Sequence, residues 1–127
     1  MELVSAMTAA RDYVIRHGKP HDAVIREIVK RIVEIAQPDR ILLFGSAARA
    51  DMGAHSDLDL LVIKSGEYDR ARLEGDLSVA MTGIGIATDI VLATPEQVER
   101  YAYAKFLIIH SALKDGVELY GRATLPP

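Results

Sequence analysis

Apolar residues recur every three or four positions at the start of the chain. Leu3, Met7, Ala10 and Val14 have this spacing, so residues 3 to 16 are expected to form an amphipathic helix. "HGKP" (17–20) interrupts the pattern, with Gly18 as a stop signal and Pro20 as a restart. A second helix is expected over residues 21 to 36. Val24, Ile25, Ile28, Val29, Ile32, Val33 and Ile35 give it a wide apolar face, and Arg26, Lys30 and Arg31 are expected to face outward. "QPDR" (37–40) reads as a turn, and after it the period changes. "ILLF" (41–44), "LDLLVIK" (58–64) and residues 86 to 92 are short apolar runs of strand length, the last rich in β-branched residues. Between the second and third runs, residues 68 to 81 suit a helix. "TPEQ" (94–97) marks a further helix start, with Thr94 as N-cap, Pro95 at the first position and Gln97 closing a capping box. That helix is expected to reach about Lys114, with a break near Tyr103, and Gly116 ends it. "VELYG" (117–121) suits an edge strand, and residues 122–127 a tail.

Mixed helices and strands in 127 residues predict one α/β (α+β) domain, a small mixed β-sheet flanked by helices. Half of the residues are apolar, and there is no Trp, so the core is aliphatic. The absence of Cys excludes disulfides and thiolate metal sites. A formal net charge of -3 gives no general attraction to nucleic acid, and no direct nucleic-acid partner is expected. Glu2, Arg11 and Asp12 come too early for a signal peptide, and no uninterrupted apolar run approaches ~18 residues. A soluble, cytoplasmic protein without membrane contact is therefore expected.

The candidate chemistry lies in "LFGSAARADMGAHSDLDLLV" (42–61). Side chains alternate along a strand, so Asp57 and Asp59 share one face while Leu58 and Leu60 point into the core. Two carboxylates this close repel, which favours either a shared proton or a cation between them. Mg²⁺, a hard ion that takes carboxylate oxygens and leaves positions open for phosphate, suits such a pair. Asp89 lies in another strand. If the two strands are neighbours, three acids converge, as a two-metal phosphoryl-transfer site requires. Gly45 permits close approach of backbone to a phosphate, and Ser46 can donate its hydroxyl. A short helix starting at Ser46 would aim free N–H groups at phosphate, and Arg49 can add a charge-assisted bond.

The order of these residues resembles the nucleotidyltransferase superfamily related to DNA polymerase beta. Members carry G-S, ten residues, then D-x-D; here Gly45-Ser46 is followed by Ala47 to Ser56 and then Asp57-Leu58-Asp59. The "FGSAAR…SDLDLLV" wording resembles the minimal nucleotidyltransferase branch. The resemblance covers about residues 24 to 121, leaving residues 1–18 as an additional N-terminal helix. It implies a polymerase beta-like palm fold, with nucleotide binding by Gly45, Ser46 and Arg49. Asp57, Asp59 and Asp89 would be the catalytic metal ligands, with Asp89 able to serve as general base, Mg²⁺ the metal and ATP the substrate. Relatives often carry Gly after that arginine, where this chain has Ala50; Gly53 follows three residues later. Members of the branch are often antitoxins that transfer AMP to a tyrosine of a HEPN-domain toxin. The implied partner is such a toxin, in a homo- or hetero-oligomer. Two alternatives stand beside this one: an antitoxin that blocks its toxin by binding alone, and a transferase acting on a small hydroxylated molecule.

Other motifs have structural readings. Gly83-Ile84-Gly85 lacks the third glycine of a dinucleotide fingerprint and precedes a strand, so it is read as a turn. His17 and His21 have metal spacing, but Gly18 and Pro20 between them oppose a continuous helix. His55 is read as a loop residue, His110 as a satisfied histidine, and Tyr101 and Tyr103 as packing residues.

Overall fold

The computed structural model describes residues 15–16, 18–53, 56–102 and 108–121, the first two by backbone alone. Chain order gives β1 (Ile15–Arg16), β2 (Lys19–Pro20), α1 (Asp22–Ala36), β3 (Arg40–Phe44), β4 (Leu58–Ile63), α2 (Arg70–Ala80), β5 (Thr88–Ala93), α3 (Pro95–Tyr101), α4 (Ile108–Asp115) and β6 (Val117–Gly121). β3 to β6 form one mixed sheet in the order β5-β4-β3-β6. β3 is antiparallel to both β4 and β6, whereas β4 and β5 are parallel and joined through α2. Parallel neighbours need such a crossover, and the helix supplies it.

Alternation along the strands builds two cores. Ile41, Leu43, Leu58, Leu60, Val62 and Leu92 pack on one face with Val24, Ile28, Ile32 and Ala36 of α1 and Leu77 of α2. Leu42, Phe44, Leu61, Ile63 and Ala93 pack on the other face with Ala112 of α4, and Val98 of α3 lies against this cluster. The central strands are therefore buried on both sides, and β4 reads as a nearly continuous apolar run for that reason. Among the described residues, no helix is long and apolar enough to cross a membrane.

Most predicted elements recur with small shifts at their ends. The second predicted helix is α1, and Thr94 and Gln97 form the expected capping box at 3.1 and 2.9 Å. The strand predicted over 86–92 is β5 at 88–93, because the turn containing Gly83 and Gly85, both with positive φ, extends further than expected. "VELYG" is an edge strand, tied to β3 by Arg40–Glu118 at 2.7 Å.

Two expectations change. Residues 3–14 of the predicted first helix lie outside the described residues, but its last two residues are not helical. Ile15–Arg16 pairs antiparallel with Lys19–Pro20, so Gly18, Lys19 and Pro20 belong to a small hairpin rather than separating two helices. Arg31 does not simply face solvent. Its guanidinium donates to the carbonyls of Ala80 at 2.9 Å and Thr82 at 2.8 Å, fastening the end of α2 to α1. Of the late helix, α3 and α4 are described; the expected break near Tyr103 lies outside the described residues.

Candidate active site

The candidate residues come from three chain segments that meet at one end of the sheet. β3 ends there at Phe44, while β4 and β5 begin there. Phe44 is paired with Asp59, and Asp59 is paired with Asp89 across the parallel β4–β5 ladder. The strand carrying Asp89 is thus the direct neighbour of the strand carrying Asp59. Both acids stand on the same sheet face as Leu61, Ile63, Val91 and Ala93, just beyond the end of that core. Exposure rises towards this end: Ala93 and Leu92 are buried, whereas Asp89 is exposed and Asp59 half-buried. Asp57 precedes β4 and is exposed.

Gly45 touches the Asp59 side chain directly. It has φ +73°, and a Cβ there would overlap Asp59 Oδ2 and lie 3.2 Å from Cγ. Glycine is required twice over, for the left-handed backbone and for the space the carboxylate occupies. The chain after it forms one turn rather than the expected short helix. Arg49 N–H donates to Gly45 O, Ala50 N–H to Ala47 O and Asp51 N–H to Ser46 O, at 3.2, 3.3 and 3.0 Å. The last two bonds form the paired closure that ends a helix through a left-handed residue. That residue is Ala50, with φ +60°. The side chain most suited to the position is none at all. Ala50→Gly is expected to stabilise the fold by about 0.5–1 kcal/mol, the relief of left-handed strain outweighing the extra freedom of the unfolded chain. Denaturant unfolding with an unchanged slope would show the gain.

The electrostatics of the acids are coupled. The proton affinity of Asp59 is raised above its ordinary value of 3.8, first by partial burial, then by the charges of Asp89 and Asp57; Arg49 acts in the opposite sense. Arg49 is exposed, and its Nε lies 3.4 Å from Asp51 Oδ2. The other three charged residues predicted for the site therefore all act on Asp59. Among the described residues, however, no three His, Asp or Glu side chains stand close enough to enclose a metal ion. The expected three-acid convergence is realised in strand register, not as a closed ligand cage. Mutual repulsion of uncompensated carboxylates opposes closer approach. Their hard oxygen donors and the excess negative field at Asp59 fit a divalent cation.

The arrangement of a G-S turn against a pair of strand-borne acids can now be compared with known proteins. "Polymerase beta, Nucleotidyltransferase" matches residues 25–124. The chain belongs to the polymerase beta nucleotidyltransferase family. A crystal structure of a presumed nucleotidyltransferase from Sulfolobus solfataricus is similar in fold, with a TM-score of 0.55 and 18% identity. The alignment covers 94% of this chain and 90% of that one. No curated protein sequence matches the chain significantly.

Other candidates fall elsewhere. His110 donates its Nδ1–H to Ala102 O at 2.7 Å, a satisfied histidine as expected. His17, His55 and Tyr103 lie outside the described residues. A cleft of about 390 Å³ lies at the opposite end of β4, lined by Gln37, Lys64, Tyr68, Asp69, Arg72 and Asp76 among others. It is separate from the acids. The feature that pattern reading misses is Gly18, whose backbone lies against the turn following Ser46. Its signal is non-local: nothing in "HGKP" specifies a contact with residues 50 to 52.

Proposed function

We propose that the chain transfers a nucleoside monophosphate, AMP from ATP, to a hydroxyl supplied by a partner protein, a tyrosine of a HEPN-domain toxin, the hydroxyl oxygen bonding to the α-phosphorus as the α–β anhydride bond breaks and pyrophosphate leaves. The observation that carries the transfer chemistry is the contact of Gly45 with Asp59, itself registered against Asp89. This puts the phosphate-side turn beside the acids, in a chain of nucleotidyltransferase family. Domains of this family generally use a nucleoside triphosphate and a divalent metal.

In this reading, Asp57, Asp59 and Asp89 would hold Mg²⁺. The ion would neutralise phosphate charge and lower the pKa of a bound hydroxyl. Ser46 and Arg49 would orient the triphosphate, and Asp89 would accept the proton of the acceptor hydroxyl. The acids stand at an open sheet end, and the described cleft is remote from them, which suits an acceptor carried on another protein.

The test is incubation with ATP labelled at the α-phosphate and Mg²⁺, with and without a HEPN partner. Label is expected on a tyrosine of the partner, and Asp57→Asn is expected to reduce its rate by at least about 10²-fold. Transfer at a normal rate by Asp57→Asn would refute the metal role of the acid. Label on a small hydroxylated molecule alone would refute the protein acceptor. Full rescue from toxin by an Asp57/Asp59 double mutant would favour blocking over chemistry.

A further inference from the structure

The turn carrying Ser46 and Arg49 is short, and its closing residue, Ala50, is held in a backbone conformation unfavourable for alanine. Something outside the turn must oppose its opening. The hairpin of β1 and β2 lies there. Gly18, in the turn between the two strands, has φ +75°, and a Cβ on it would overlap Ala50 O and stand 2.8 Å from Ala50 C. The Gly18 carbonyl accepts from the Met52 N–H at 3.1 Å. Met52 is buried in the larger core, and Pro20 is buried on the hairpin side, so both partners in this contact are anchored. The turn is thus closed at one end by Gly45 against Asp59 and at the other by Ala50 and Met52 against Gly18.

We infer that Gly18 is a positioning residue for nucleotide binding: its bare backbone is the wall that keeps the 45–52 turn closed, with Ser46 and Arg49 directed at the triphosphate. The inference rests on the function proposed above. It differs from a general stabilising role because it predicts separate effects on nucleotide and on metal. The contacts of Gly18 fall on Ala50, Asp51 and Met52, on the turn rather than on the strands that carry the acids, so the affinity of Asp57, Asp59 and Asp89 for a cation alone is not expected to depend on it. A side chain at 18 displaces Ala50, reopens the turn and weakens only the triphosphate's hold. Lys19, exposed on the same hairpin, serves as the control.

The experiment measures affinity for Mg·ATP, and separately for Mn²⁺ without nucleotide, in the full chain. Gly18→Ala is expected to weaken Mg·ATP binding by about 10-fold while Mn²⁺ affinity stays within about 2-fold of wild type. Lys19→Ala is expected to change neither. Unchanged Mg·ATP affinity in Gly18→Ala, or an equal loss of both affinities, would overturn the inference. A second measurement needs no variant and covers the case in which Gly18→Ala does not fold. In the wild-type amide spectrum, Mg·ATP is expected to shift the signals of Gly18 and Met52 together with those of Ser46 and Arg49. Movement of Ser46 and Arg49 alone would overturn the inference and leave the proposed function standing. A wild-type protein that binds no ATP would overturn both.

Discussion

Asp59→Asn is expected to abolish nucleotidyl transfer and to make the metal-free protein more stable. The loss of activity, at least about 10³-fold, follows from removing the charge that both the metal and the neighbouring acids act upon. The gain in stability follows from the raised proton affinity of Asp59. Because the folded chain holds that proton more tightly than the unfolded chain does, folding favours the neutral acid. Stability is therefore lost as pH rises from 3.8 through the higher folded value, and the full penalty remains above it. Asparagine has no charge to penalise. The melting temperature of Asp59→Asn should exceed that of wild type at pH 7, and the gap should close below pH 3.8. Millimolar Mg²⁺ should raise the wild-type melting temperature and leave the variant unmoved, since only a protein that binds the ion gains by mass action. A variant less stable than wild type at pH 7 would show that Asp59 is held by favourable contacts instead.

Gly45→Ala is also expected to lower activity, with the opposite effect on stability. The new methyl group would occupy the position of Asp59 Oδ2, and the backbone would keep a φ of +73° that alanine disfavours. Left-handed strain alone costs about 1–2 kcal/mol. Asp59 must also swing away, which misplaces it relative to Asp89. A misplacement of this kind lowers transfer by at least about 10²-fold. Chemical denaturation and a transfer assay on the same sample check both parts. Two residues in contact thus offer impaired variants on opposite sides of wild-type stability. The contrast separates loss of chemistry from loss of fold.

Much of this architecture is readable from the chain because its signals are local. The face of α1, the capping box of Thr94 and Gln97, and the short strand runs each declare themselves within a few residues. The neighbouring placement of β4 and β5 is different. It is a parallel pairing of strands separated by a helix, and only the chemistry of Asp59 and Asp89 hinted at it. What escaped reading depends on distant partners. Arg31 looks like a solvent-facing charge on a helical wheel, yet it serves carbonyls about fifty positions away in the chain. Residues 15 and 16 directly follow an apolar spacing that suits a helix, but they pair with Lys19 and Pro20 as a strand. The left-handed backbone of Ala50 cannot be inferred from alanine at all.

The burial of β4 on both faces has a further consequence. From Leu60 to Ile63 every residue is buried, so apolar residues there suit either core equally well. Hydrophobicity over that segment does not distinguish the right side of the strand from the wrong one. A slip of one residue along a neighbour would exchange the faces. It would drive Asp59 into the aliphatic packing of α1 and α2, where a carboxylate has no solvent and no partner. The acid assigned here to chemistry therefore also acts as an orientation mark during folding: it specifies which way up its strand must lie.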